Sequence, residues 1–358
     1  MVAQLTRSLL EGDRRALARA LTQIENHDEW AREIIASIFP ATGNARIIGI
    51  TGAPGTGKST LVNEWVKAIR AEGEPVAILA IDPSSPITGG AIMGDRVRMQ
   101  EHAGDAGVYI RSMASRGKLG GLANATRDAI RVLDAAGFPY ILLETVGTGQ
   151  SEVDVAQLAH TTIVVEAPGL GDEVQAIKAG LLEIADIVVL NKADRPGAAQ
   201  TLRSLQQMLA LGSSRMEADR ITHHTGDHGV NMTAEKKPGD AAVWIPPIIQ
   251  TVAREGDGVE ELWQLVKSHI EYLQVANHMV DWNRRQLAQE LKERLENQWL
   301  ERFRCHMNGQ AFQQQVDRLA EGSIDPFTAV DELLNHTLAE VLESSTALTG
   351  THKGGGAR

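Results

Sequence analysis

The stretch Gly52-Ala53-Pro54-Gly55-Thr56-Gly57-Lys58-Ser59 has the spacing G-x-x-x-x-G-K-[ST], and Thr60 follows it. Glycines so placed let backbone N–H groups curl around a β-phosphate. Lys58 would reach the β and γ oxygens, and the Ser59 hydroxyl would ligate magnesium. A chance match in a chain of 358 residues is on the order of 1% from average residue frequencies, so a plain glycine turn is the poorer account. Further on, Asn191-Lys192-Ala193-Asp194 reads N-K-x-D. A carboxylate at Asp194 can accept hydrogen bonds from guanine N1–H and from its exocyclic amine, a donor pair that adenine lacks. Taken alone, an Asp after a strand is often just a helix cap. Downstream of a phosphate loop, at the end of a later strand, it selects GTP over ATP.

Two more acidic positions fit a metal beside the phosphates. Asp82 ends an apolar run, expected beside the phosphate loop, where a carboxylate holds magnesium directly or through water. Glu144-Thr145-Val146-Gly147 occupies the place of a D-x-x-G motif. There the Gly147 N–H would contact the γ-phosphate and the acid would hold the metal through water. Lys58, Asp82 and Glu144 are thus the candidate catalytic groups. Small GTPases usually place a water-orienting Gln directly after this glycine, whereas here Thr148 stands there and Gln150 comes two residues later. Slow intrinsic hydrolysis, raised by a partner, is expected. Arg111, Arg116 and Lys118 could lend charge to a γ-phosphate or to a partner, with a capping or solvated role weighing at least as much.

These residues need a scaffold, and the chain supplies one. Apolar runs at 47–51, 76–81, 140–144, 162–166, 187–190 and 245–251 alternate with helical stretches, one of them from Thr60 to about Ala71. Continuous Ile/Val/Leu runs suit strands covered on both faces, joined by right-handed crossovers. The pattern predicts an α/β fold with a doubly wound, mostly parallel sheet, whose ligands bind at the carboxyl ends of the strands. Before it, Leu17, Leu21 and Ile24, then Trp30, Ile34, Ile35 and Ile38, recur at helical spacing around a break and N-cap at Gly12-Asp13. After it, Leu287, Leu291, Leu295, Trp299 and Phe303, with Leu300 beside them, form a stripe. A hairpin packed on its own domain and a dimerisation arm account equally well for it. The expected division is an N-terminal helical piece (1–43), a nucleotide domain (44–274), a helical arm (275–350) and a disordered tail (351–358).

Composition narrows the classes further. With 35 Lys+Arg against 46 Asp+Glu, the net charge of −11 argues against a broad duty on nucleic acid or anionic membrane. The lone Cys305 excludes an intramolecular disulfide and any multi-cysteine metal site, and a reducing, cytoplasmic setting is expected. No secretory leader or spanning run is read from the sequence.

The sequence resembles the MeaB/ArgK-type GTPases, accessory proteins of adenosylcobalamin-dependent methylmalonyl-CoA mutase that were also named lysine/arginine/ornithine transport ATPases. The resemblance is carried by the phosphate loop, Asp82-Pro83-Ser84-Ser85-Pro86, Gly94-Asp95-Arg96 and Glu144-Thr145-Val146-Gly147. It continues through Gly149-Gln150-Ser151-Glu152-Val153-Asp154, Gly171-Asp172-Glu173-Val174-Gln175-Ala176-Ile177-Lys178-Ala179-Gly180 and Asn191-Lys192-Ala193-Asp194. It implies GTP/GDP contacts from Gly52 to Thr60 and at Asp194, and magnesium near Ser59, Asp82, Asp95 and Glu144. It implies a nucleotide-responsive loop over 169–178 facing the mutase, homodimers joined through C-terminal helices, and a role in gating adenosylcobalamin transfer and ejecting damaged cofactor. The family's guanine-backing Ser-Ala loop corresponds to Thr251-Val252-Ala253, the Thr keeping the hydroxyl. Two alternatives stay open: an ATPase or kinase linked to amino-acid transport, and a metallochaperone GTPase using His223, His224 and His228, which are more often plain surface. Lys58→Ala is expected to abolish GTP hydrolysis while leaving the fold intact, checked by phosphate release alongside circular dichroism.

Overall fold

The computed structural model describes residues 1–26, 29–83, 100–102, 104–115, 121–145, 155–169, 180–223, 244–275, 278–307 and 310–335. Three helices lead: α1 (Val2–Leu10), α2 (Arg14–Glu25) and α3 (Ala31–Ile38). Gly12 turns the chain at φ 83°, and the Asp13 side chain accepts from the Ala16 N–H at 2.8 Å, capping α2 as its position predicts. Leu17, Leu21, Ile24, Ile34 and Ile38 are all buried. Trp30 breaks the expected stripe, being 38% exposed because it is the N-cap residue of α3 and lies outside its inward face.

Among the described residues the sheet has seven strands: β1 (Arg46–Thr51), β2 (Val76–Pro83), β3 (Val108–Ser115), β4 (Tyr140–Thr145), β5 (Thr161–Glu166), β6 (Ile187–Asn191) and β7 (Ile248–Thr251). They pair in parallel in the order β3-β2-β4-β1-β5-β6-β7. β3 escapes the search for apolar runs because it is an edge strand, where Arg111 and Ser112 interrupt the hydrophobic residues. β7 is shorter than the 245–251 run because Pro246 and Pro247 have no N–H to give a ladder. The order also corrects the place of Asp82. β4 stands between β2 and β1, so Glu144 is the acid next to the phosphate-loop strand and Asp82 lies one strand further out.

Alternation along the strands divides the core. Ile48, Ile50, Leu142, Ile163, Val165, Ile187 and Val189 pack with α4 (Lys58–Ala71) and the later helix Val259–Val275. Trp65 and Trp263, both fully buried, meet there edge to face at 6.0 Å. On the opposite face, Ile141 and Leu143 join the N-terminal helices and α5 (Gly121–Ala135). Val164, Val188 and Leu190 join α6 (Ala198–His223) there. With the helix Val259–Val275 numbered α7, the chain continues through α8 (His278–Met307), α9 (Gln310–Ala320) and a helix over 326–335. The chain divides into two compact units, Met1–Leu287 and Ala288–Arg358. In the second, Arg318 pairs with Glu332 at 2.6 Å, and Asp325 caps the helix over 326–335 through the Phe327 and Thr328 N–H groups.

The N-terminal layer is tied to the sheet edge. Arg14 donates to the Val108 carbonyl and lies over the Tyr109 ring. Arg111 donates to Glu25 at 2.5 Å and contacts the Thr22 hydroxyl, so this candidate phosphate ligand is engaged on α2 instead. Arg116 and Lys118 lie outside the described residues. Among the described residues no helix is long and apolar enough to cross a membrane.

At the amino end of the sheet, buried His160 accepts from the Ile47 N–H through Nδ1 at 3.0 Å and meets Trp282 edge to face at 4.4 Å. Burial, and then the Arg46 charge, push its imidazole from 6.5 down to about 3. The unfolded chain takes up this proton below pH 6.5 and the folded chain does not until about pH 3. Stability is therefore lost as pH falls through that window, by up to about 2 kcal/mol at pH 5. Urea midpoints should fall between pH 7 and pH 5, and His160→Asn, which keeps an acceptor but does not titrate, should flatten that dependence.

Candidate nucleotide site

The phosphate loop runs from the carboxyl end of β1 into α4, and its glycines are required by the backbone. Gly52 has φ 139°, and a Cβ there would lie 2.1 Å from the Val165 carbonyl oxygen. Gly57 has φ 94°, and its Cβ would lie 2.5 Å from Asn191 Nδ2. At Gly55, φ 82° alone favours glycine. Lys58 opens α4 and is buried. Its Nζ donates to the Gly52 and Ala53 carbonyls at 2.7 and 3.1 Å, which keeps the ammonium within the loop. Thr56 braces the same turn by donating to the Ala53 carbonyl at 3.0 Å. Pro54 and Gly55 are exposed, while Ser59 is buried in the first turn of α4, with Thr60 next to it. Backbone N–H groups and the helix dipole favour an anion at this end.

The second half of the site is built on Asn191, which is 2% exposed at the end of β6. Its Nδ2 donates to the Thr56 carbonyl at 2.8 Å. Its Oδ1 accepts from the Thr251 hydroxyl and from the Ala253 N–H, each at 3.1 Å. One carboxamide thus joins the phosphate loop, the N-K-x-D turn and the Thr251-Val252-Ala253 loop. The next residue, Lys192, adopts φ 57°, left-handed despite its side chain, and its Nζ donates to the Gly55 carbonyl at 2.5 Å. Burial, and then the Arg195 charge, lower its ammonium from the usual value, while Asp194 opposes them. The Ala193 N–H donates to the Thr251 carbonyl at 3.1 Å, closing the turn against β7. Val252 is held by the Asp257 carbonyl at 3.1 Å, and Asp194 stands exposed beyond Ala193.

Glu144 is 1% exposed. It lies in register with Ile50 on β1, two residues after Leu142 and so on the α4 face of the sheet. For Asp82 the structure fixes the backbone at the end of β2; its side chain, and all of Asp95, Gly147, Thr148 and Gln150, lie outside the described residues. The 169–178 loop does so too from residue 170, as do His224 and His228, and His223 is the last residue of α6. Sequence reasoning assigned no role to Glu166, which is 1% exposed at the end of β5, one residue after the Val165 carbonyl that meets Gly52. The signal was a carboxylate ending an otherwise apolar strand. The Thr51 and Thr145 hydroxyls, 3.5 Å apart, are a further buried polar pair at the ends of β1 and β4.

The sequence model of the family described as methylmalonyl Co-A mutase-associated GTPase MeaB matches residues 17–308. The chain belongs to the MeaB family of GTPases. As a member it binds guanine nucleotide and hydrolyses GTP, in keeping with the phosphate loop and the N-K-x-D turn that Asn191 brings together. A provisionally named GTPase of Pyrococcus abyssi is 45% identical over 94% of this chain and 97% of its own length. GTPase ArgK of Escherichia coli is 32% identical over 82% of this MeaB chain and 86% of itself. The solved structure of a LAO/AO transport system kinase superposes with a TM-score of 0.62 at 23% identity, covering 94% of this chain and 97% of the other, and shares the fold.

Asn191→Ala removes one donor and two accepted bonds at once and leaves buried partners unmet, at about 1–3 kcal/mol for each stranded group. Calorimetric titration with GDP should show affinity weakened by at least about tenfold, with the melting temperature lowered as well.

Proposed function

We propose that this GTPase is a chaperone of an adenosylcobalamin-dependent acyl-CoA mutase of the methylmalonyl-CoA mutase type. GTP binding and hydrolysis time the loading of adenosylcobalamin and the reactivation of a damaged mutase. The observation that carries this reading is the Asn191 junction, which makes phosphate binding and guanine reading one unit. The family description, which attaches these GTPases to methylmalonyl-CoA mutase, supplies the partner.

In this reading Gly52 to Thr60 cradle the phosphates, Lys58 neutralises the β and γ oxygens, and Gly147 contacts the γ-phosphate. Asp194 reads guanine, Lys192 and Asn191 hold the turn, and Thr251 to Ala253 back the base. Ser59, Asp82, Asp95 and Glu144 would hold magnesium. A hydroxyl and carboxylates are the hard oxygen donors this ion takes, and the buried Ser59 and Glu144 belong to elements packed on the same sheet face. The ion would neutralise phosphate charge. With Thr148 in the place of a water-orienting Gln, hydrolysis is slow until the mutase orders the site. The nucleotide domain spans 44–274, behind the N-terminal piece 1–43, and 275–350 form a dimerisation arm before the tail 351–358. The arm is supported by the exposure of Leu287, Leu291, Leu295, Trp299 and Leu300 along α8. The setting is cytoplasmic.

The test is GTP turnover by the full chain, alone and with each candidate mutase, with light scattering on the same samples. Slow turnover from a dimer, rising about tenfold or more in a defined complex, is expected. Equal rates with and without every mutase, and no complex, would overturn the assignment.

A further inference from the structure

Beyond the phosphate loop and the N-K-x-D turn, the hairpin that leaves β7 brings a donor set that no motif covers. Val252 and Asp257 pair across an antiparallel bridge, so Ala253, Arg254, Glu255 and Gly256 form its tip. The turn is tight: Gly256 and Gly258 adopt φ 84° and 76°, and a Cβ on Gly258 would lie 2.3 Å from the Gln250 carbonyl oxygen. It is also tied to the base-reading turn. Ala253, 2% exposed, gives its N–H to Asn191 Oδ1 at 3.1 Å, and the Ala193 N–H reaches the Thr251 carbonyl at 3.1 Å. Arg254 follows Ala253 and Asp194 follows Ala193, so these two charged residues stand on turns bonded to each other.

Most donors at the tip are already engaged. The Val252 N–H goes to the Asp257 carbonyl at 3.1 Å, and the Glu255 and Gly256 N–H groups go to the Val252 carbonyl at 2.8 and 3.1 Å. Arg254 is exposed, and among the described residues neither its N–H nor its guanidinium makes a hydrogen bond or ion pair. Two other cations of the site are committed: Lys58 Nζ holds the Gly52 and Ala53 carbonyls, and Lys192 Nζ holds the Gly55 carbonyl. Arg195, exposed as well, belongs to the turn that carries Asp194.

Guanine presents N1–H and its amine as donors, and O6 and N7 as acceptors along the neighbouring edge. Two acceptors in one plane suit the planar fork of a guanidinium. Adenine keeps N7 but puts a donor amine where guanine has O6, so the same fork opposes it. Glu255, the other charged side chain of the tip, offers acceptors alone when ionised.

We infer that Arg254 is a specificity-determining residue that reads the O6/N7 edge of guanine, so that the base is recognised from two turns, by Asp194 on one and Arg254 on the other. The inference rests on the reading above in which Asp194 meets N1–H and the amine. Arg254 acts through nucleotide affinity, and its loss leaves kcat as it was.

The test is calorimetric titration of the full chain, as wild type, Arg254→Met and Arg195→Met, with thermal melts in parallel. The ligands are GDP, inosine diphosphate, which lacks the exocyclic amine, and 7-deaza-GDP, which lacks the N7 acceptor. Wild type is expected to bind 7-deaza-GDP about tenfold more weakly than GDP. Arg254→Met should bind GDP about tenfold more weakly than wild type, lose the difference between GDP and 7-deaza-GDP, keep its preference for GDP over inosine diphosphate, and melt as wild type does. Arg195→Met should match wild type throughout. If Arg254→Met keeps the wild-type ratio of GDP to 7-deaza-GDP affinity, or if that ratio collapses in Arg195→Met instead, the inference fails while the Asp194 reading stands. If the wild-type chain binds GDP and inosine diphosphate equally, the Asp194 reading fails and the inference with it. Arg254→Lys keeps the charge without the planar fork, so a wild-type ratio in that variant overturns the two-point contact.

Discussion

The site depends on one buried carboxamide. Asn191 uses a donor and an acceptor in opposite directions, toward Thr56 on one side and toward Thr251 and Ala253 on the other. The phosphate loop, the N-K-x-D turn and the β7 loop come from distant parts of the chain, so their relative placement must be fixed by something that touches all of them. Buried as they are, each of these bonds costs the desolvation of its groups if broken. A hydrophobic residue of similar size would fill the space and lose the registration. Gly57 shows the same constraint from the other side, since any side chain there would occupy the place of the Asn191 amide.

Around this junction the sheet separates tasks by face. The α4 face carries the candidate residues Lys58, Ser59 and Glu144 and the fully buried edge-to-face pair Trp65 and Trp263. The opposite face is covered by α5, α6 and the N-terminal layer. β1 carries the phosphate loop between β4 and β5. The carboxylates of Glu144 and Glu166, each 1% exposed, lie at or next to the ends of these neighbours, so the loop rises between acids supplied by separate strands.

Much of this was legible in the sequence because the signals were local. The phosphate loop, the strand before it and the helix after it are read from consecutive residues, as is the Asp13 cap. Apolar strands covered on both faces announce themselves by composition. What stayed hidden was set by distant partners. β3 carries polar residues because it lies at the edge, and Arg111 reads as a free cation until α2 supplies Glu25. The order β2-β4-β1 cannot be read from chain order, so the placement of Asp82 next to the loop strand did not follow. Thr251 to Ala253 match the family's Ser-Ala loop only through a retained hydroxyl, and their contact with Asn191 depends on β7 pairing beside β6.

The edge position of β3 has one more effect. A sheet edge offers N–H and C=O groups that a strand from another molecule can match, the usual seed of edge-to-edge aggregation. Here Arg14 takes the Val108 carbonyl at the start of the edge, and Arg111 sets a charge in mid-strand that Glu25 holds in place. A foreign strand would have to displace a cation and break an ion pair to dock there. The helical layer ahead of the sheet therefore acts as a guard for solubility, denying growth of the sheet at its β3 end.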